Sequence, residues 1–208
     1  MGFSFVGFRR GWLLGLVVLL AAGAGQAHDR SFTVMGGYQF GGEFEDEATG
    51  DEVELDETPS FTVLLNLPHQ LDTEFEYVIS RQATSLQASG QFSGNELFDL
   101  DVYYLHVGGI ALVNPDRVEP YVSGSLGLTH MRPSDAGLDS ETRFSLSLGG
   151  GVRVPMGERL ALRFDLRGFV TMLNGGGSLF CADGNCNVSV VSDGFLQYAT
   201  SAGIVFRF

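Results

Sequence analysis

Residues 160–173 read LALRFDLRGFVTML, and their chemistry alternates with almost no interruption. Leu160, Leu162, Phe164, Leu166, Val170 and Met172 fall on one face of an extended chain, while Arg163, Asp165 and Arg167 fall on the other. Successive side chains of a strand point to opposite faces, so this stretch is a β-strand with one apolar and one charged side. A soluble sandwich would put such charges in water; a barrel with an apolar exterior would put them inside. The flanking sequence decides between the two.

Downstream, residues 195–208 (FLQYATSAGIVFRF) place Leu196, Tyr198, Ala202, Ile204, Phe206 and Phe208 on the apolar side and Arg207 opposite. Upstream, Phe32, Val34, Tyr38, Phe40 and Phe44 share a face against Ser31, Thr33, Gln39 and Glu43, and the same pattern recurs at 61–67, 74–85, 97–113, 118–131 and 143–154. That makes eight strands, and no segment after residue 30 reads as an amphipathic helix. The links alternate between extended polar ones, at 45–59, 87–96, 132–142 and 174–194, and brief ones, PHQLD, NPDR and PMGER. A sandwich has no reason to segregate its loops in this way, whereas a transmembrane barrel has short turns on one side and longer loops on the other. Aromatics gather near the strand ends, as an interfacial girdle requires.

Composition agrees. At 208 residues the chain fits one domain; it holds 29 Gly and 17 Phe, only 18% of it is charged, and every basic residue is Arg. A formal charge of −13 argues against nucleic acid, which needs a basic patch. The first stretch has Arg9 and Arg10, then an apolar run from Trp12 to Ala24 and small residues up to Ala27. It reads as a signal peptide over residues 1–27, with the barrel domain at 28–208 and a mature charge of −13 − 2 = −15. In an oxidising compartment Cys181 and Cys186, in FCADGNC, form a disulfide that shapes a loop tip.

The signal peptide, eight alternating strands, alternating links and terminal Phe-Arg-Phe resemble the small eight-stranded outer-membrane barrels, the group of the OmpA transmembrane domain. The resemblance covers the mature chain by pattern more than by residue motif. It implies an antiparallel up-and-down barrel with short periplasmic turns and longer extracellular loops, in the bacterial outer membrane. Its partners would be outer-membrane lipid and lipopolysaccharide, and the barrel assembly machinery, which reads the terminal aromatic and the alternate positions before it. Here these are Phe208, Phe206, Ile204 and Tyr198. Unlike full-length OmpA, the chain carries no domain after the barrel, so a peptidoglycan-binding role finds no support.

Eight strands leave an interior that side chains fill. With both termini periplasmic, Glu74, Glu76, Glu119, Arg153, Arg163 and Arg207 meet in the lower lumen, and Asp165 and Arg167 add a pair above them. Buried charges need partners, and the planar fork of Arg engages two carboxylates at once. The expected role of this network is structural, an ion pathway being the alternative.

The four histidines offer little catalysis. His28 lies beside the cleavage site and His69 in a turn. Strict alternation puts His106 on the lipid side with Val102, Tyr104 and Ile110, near Gly124, with Ser123 and Ser125 pointing inward; a glycine-marked bulge near 106–109 would turn it inward instead. No catalytic set, cofactor or metal motif emerges. The first loop carries nine carboxylates between Glu43 and Glu57, where divalent cations are a candidate partner. The reading is a non-enzymatic, monomeric barrel with a structural or surface-interaction role carried by its loops. A lipid A-modifying enzyme and a narrow small-solute channel stay open as alternatives.

Overall fold

The computed structural model describes residues 30–45, 52–70, 72–89, 95–113, 117–134, 138–173, 177–182, 185–190 and 194–208. The expected signal segment and the middle of the acidic loop lie outside them. Eight long strands form the wall: β1 (Ser31–Gly41), β4 (Thr58–Gln70), β5 (Thr73–Ser89), β6 (Asn95–Leu112), β7 (Glu119–Pro133), β8 (Glu141–Pro155), β9 (Leu160–Met172) and β12 (Gly194–Arg207). Of four short strands, β3 (Glu52–Leu55), β10 (Gly177–Ala182) and β11 (Asn185–Val190) occupy stretches that the sequence suggested were loops, and β2 (Glu43–Glu45) takes the end of the expected first strand, which breaks at Gly42.

Each wall strand pairs antiparallel with its neighbours, and β1 pairs with both β4 and β12, which closes the sheet into an eight-stranded barrel. Closure matters in hydrocarbon, where an open edge would leave backbone groups with neither water nor a partner. The terminal TSAGIVFRF is the closing strand, running opposite β1 from Ser31↔Arg207 to Gly41↔Gln197. Phe208 N donates to Arg30 O at 2.9 Å, so both described ends meet at one rim, here called the lower rim.

Burial is inverted relative to a water-soluble protein. Outward positions are exposed and apolar, among them Phe32, Tyr77, Ile79, Leu105, Leu126, Phe164, Leu166 and Phe206, whereas Gln39, Asn66, Glu76, Gln82, Arg163 and Gln197 are buried. The charged residues of β9 and β12, Arg163, Asp165, Arg167 and Arg207, all sort inward in this way.

A barrel this narrow bends its strands sharply, and glycine is needed where an inward Cβ would strike the next strand. A Cβ on Gly151 would meet the Phe164 carbonyl and the Tyr121 hydroxyl, and one on Gly127 would meet the backbone of Leu105 and His106. At the upper end of β1, Gly41 (φ 80°) and Gly42 (φ 107°) turn the chain towards β2, in a region that L side chains rarely adopt. At the lower rim Asp72 (φ 60°) takes the left-handed position of the β4–β5 turn, which Asp tolerates better than most residues.

Candidate functional site

The lumen holds the buried polar chemistry, and it is layered. In the lowest layer Arg153 of β8 donates from Nη2 to Glu74 at 2.7 Å, and its Nε stands 3.6 Å from Glu119. Arg207 of β12 donates from Nη2 to both oxygens of Glu119, at 2.8 and 2.7 Å. These four residues line a cavity of about 520 Å³ at the lower mouth, together with His69 and Asp72.

The second layer is drier and more tightly coupled. Glu76 accepts from Arg163 at 2.7 Å and from Arg167 at 2.6 Å; Asp165 accepts from Arg163 at 2.9 Å and from Arg167 at 3.3 Å. Each guanidinium thus bridges two carboxylates, as its forked donors allow and an ammonium on a flexible stem does less well. Tyr121 accepts from Arg163 Nε at 2.8 Å and donates to Asp165 at 2.7 Å, its ring lying 4.5 Å from the Arg163 guanidinium carbon. Asn66 donates to Glu76 at 3.3 Å and accepts from Arg163 at 3.4 Å. Arg163 is 0% and Glu76 1% exposed, so these partners replace water for both.

Above the charges His106 is 3% exposed. Its Nδ1 lies 3.0 Å from Ser125 Oγ and its Nε2 2.8 Å from Ser145 Oγ, with Phe169 set edge-on to its ring. Ser125 is in turn bonded to Ser147. Higher still, Gln197 donates to Gln82 at 3.1 Å and accepts from Gln39 at 3.2 Å and from the Tyr104 hydroxyl. Tyr104 stacks on Phe169 with ring centroids 4.1 Å apart. The top of the lumen is apolar: Leu55, Leu86, Leu100, Met131, Leu173 and Phe195 form one buried cluster with Tyr104 and Phe169.

All eight charged residues expected inside do face inward and make ion pairs, but their grouping differs from the expectation. Glu76 and Arg163 join Asp165 and Arg167 in the second layer, because the Arg163 side chain reaches from its place opposite Arg153 towards Glu76. Tyr121 and Asn66, which complete that layer, went unnoticed in the sequence, although Tyr121 shares its parity with the inward Ser123 and Ser125.

The face assigned to residues 102–110 is the clear error. Val102, Tyr104, His106 and Ile110 line the lumen, and Tyr103, Leu105 and Val107 face out. His106 pairs with Gly127 rather than lying near Gly124, and no register shift occurs near it. Gly127, bare of a side chain, leaves the space that the imidazole occupies. Tyr198, Ile204, Phe206 and Phe208, expected from the resemblance to form an assembly signal, are all exposed on the outer face. Register places Cys181 opposite Cys186, whose side chains lie outside the described residues.

A closed, eight-stranded antiparallel wall, apolar outside and polar or charged within, defines a transmembrane β-barrel. Residues 13–192 match the model of the outer membrane protein beta-barrel domain, so the chain belongs to that family, and it is a protein of the bacterial outer membrane. Solved structures carry the same fold at low identity. The solid-state NMR structure of the outer membrane protein AlkL is 15% identical, with a TM-score of 0.58 over 90% of this chain and 94% of that one. OprG from Pseudomonas aeruginosa is 11% identical, with a TM-score of 0.56 over 88% and 97%. Neisserial surface protein A is 14% identical, with a TM-score of 0.53 over 85% and 97%. No curated protein matches by sequence.

Proposed function

We propose that this chain is a non-enzymatic outer-membrane barrel whose lumen is closed to solutes and whose encounters with other molecules take place at its extracellular side. One observation carries the reading: above the cavity at the lower mouth, the lumen is occupied successively by the Glu76–Arg163–Asp165–Arg167 layer, the His106 and glutamine layers and the apolar cluster. A conducting path needs a continuous wet column, and opening one here means breaking buried ion pairs that cost several kcal/mol to separate. Planar-bilayer recording of the purified barrel tests this. Only rare, small events are expected; steady conductance of a defined size would refute the closed lumen.

Geometry also argues against the enzyme alternative. The His106–Ser125 and His106–Ser145 pairs have the residue types of a nucleophile and its base, but Ser145 and His106 are buried beneath the apolar cluster, where an acyl substrate has no approach.

The surface role rests on the upper extensions. Glu43 and Glu54 are exposed and directly opposite each other, and Glu45 pairs with Glu52. Like charges opposed across strands are destabilising, so a divalent cation recruited there would relieve the repulsion. Calorimetry with millimolar Ca²⁺ should give heat that disappears in Glu43→Gln/Glu54→Gln. The proposal also includes a disulfide between Cys181 and Cys186, supported by their register, and recognition of the Phe208 strand by the barrel assembly machinery. Both the monomeric state and the outer-leaflet lipid partner belong to it.

A further inference from the structure

On the outer wall the charged residues are not scattered. Among the described residues of β1, β4, β9 and β12, outward positions of the wall carry no Arg, Asp or Glu, and the upper ends of these strands finish in Tyr38, Phe40, Phe61, Met172, Leu196 and Tyr198. Among the described side chains of the wall strands, the outward charges lie on β5, β6 and β7, towards their upper ends: Arg81, Asp99, Asp101 and Arg132.

Register gives their height. Ile79, Leu105, Leu128 and Phe144 stand side by side across β5 to β8 as an exposed apolar row. Two residues further up, about 7 Å along the strands, the next row is Arg81, Tyr103, His130 and Thr142. One step above, Asp101 stands opposite Arg132. The change from purely apolar to ionic therefore happens in a single step, which places this second row where hydrocarbon gives way to head groups.

The row is organised, with donors left over. Arg81 donates from Nη2 to Asp101 at 2.8 Å, and its guanidinium carbon lies 5.7 Å from the Tyr103 ring centre. Those contacts fix the guanidinium while half of the side chain stays exposed. His130 Nδ1 is bonded to Thr142 at 2.8 Å and its ring lies against Tyr103, so the imidazole is oriented with Nε2 uncommitted. Arg132 is exposed and has no partner among the described residues.

Resting on the outer-leaflet lipid partner proposed above, we infer that this patch of the outer wall is where a phosphorylated glycolipid of that leaflet binds. Arg81 and Arg132 present planar forks suited to a phosphate, and His130 adds a third donor beside them. A bare anion would be repelled by Asp99 and Asp101, but a phosphorylated sugar offers hydroxyls that those carboxylates and Thr142 can accept or donate to, while its acyl chains lie down over Ile79, Leu105, Leu128 and Phe144. That mixture of two cations and two carboxylates is why the glycolipid is favoured over a glycerophospholipid.

The test uses the mature chain in phosphatidylcholine nanodiscs, titrated with bisphosphorylated lipid A, with dephosphorylated lipid A and with phosphatidylglycerol, and read by native mass spectrometry. Wild-type protein should bind bisphosphorylated lipid A at least about tenfold more tightly than either of the others, since one charge-assisted hydrogen bond supplies about that factor. Arg81→Gln/Arg132→Gln should erase the preference, and Arg117→Gln/Arg159→Gln, the same charge change at the lower turns, should keep it. An undiminished preference in the first double variant, or phosphatidylglycerol binding as tightly as lipid A, overturns the inference. Folding is checked by unheated gel migration; if the double variant fails to fold, Arg132→Gln alone decides, because the exposed Arg132 side chain has no partner among the described residues.

Discussion

Neutralising Glu76 should unbalance the barrel more than any other single isosteric change. In Glu76→Gln the shape is kept, but Arg163 and Arg167, whose donors lie 2.7 and 2.6 Å from its two oxygens, are left to share Asp165 alone. Removing one member of a buried ion pair costs about 3–5 kcal/mol, because the remaining charge has neither partner nor water. Arg163→Met should cost a similar amount, leaving Glu76 and Asp165 facing Arg167. The double variant removes one charge of each sign and retains Arg167 with Asp165, so its cost should not exceed that of either single change. The expected coupling is therefore about 3 kcal/mol, the upper end for residues in one network. Urea titration of the refolded barrel in phospholipid vesicles, followed by circular dichroism and by unheated gel migration, gives all four stabilities. Tyrosine rather than tryptophan is the useful fluorophore, since Trp12, the one tryptophan, falls in the expected signal segment. Additive single costs, or a Glu76→Gln barrel within about 1 kcal/mol of wild type, would refute the claim that the second layer acts as one unit.

Deleting Phe208 should lower folded barrel levels in cells while refolding from urea into vesicles stays close to wild type, because the side chain is exposed and lacks tertiary burial; equal losses in both settings would assign it a purely structural role. Gly151→Ala should destabilise by about 1–3 kcal/mol, since the new methyl meets the Phe164 carbonyl and the Tyr121 hydroxyl, whereas Gly157→Ala, with nothing within 4 Å, should be neutral in the same urea titration. Arg207→Ala, at the half-open lower mouth, should cost less than Glu76→Gln, about 1–2 kcal/mol by the same measurement.

The wall could be read from sequence wherever the two faces of a strand differ in chemistry along its whole length. In β9 and β12, Arg163, Asp165, Arg167 and Arg207 stand against faces that are apolar but for Thr200, and sidedness follows directly. In β6 it failed for a physical reason. Both faces of residues 100–112 are largely apolar, and the visible charges, Asp99 and Asp101, share the parity of Leu105 and Val107. Taking those charges as the inner face sends Tyr104 and His106 to lipid. They lie instead on the outer face above the last apolar row, where water and head groups solvate them. A charge near the upper end of a strand therefore reports height before it reports side. Grouping within the lumen was partly hidden for another reason: Glu76 and Arg163 meet because of strand stagger and the length of the arginine side chain, neither of which a count of positions from the strand ends captures.

Arginine, the sole basic residue type in the chain, serves two environments here with one property. Inside, Arg163 and Arg167 each bridge the same two carboxylates, and Arg153 stands between Glu74 and Glu119, so each fork is committed to protein carboxylates, although Arg167 Nη1 and Arg153 Nε are left without a hydrogen-bond partner. Outside, Arg81 is oriented by one carboxylate and one aromatic ring while half exposed, and the Arg132 side chain has no partner among the described residues. A fork paired to buried carboxylates holds neighbouring strands in fixed relation, whereas an oriented, half-exposed fork at the outer rim is free to meet other groups. The sequence alternation that puts these side chains on opposite faces thereby separates the groups that hold the barrel closed from those that face the membrane around it, and a substitution on one face should leave the other's role intact.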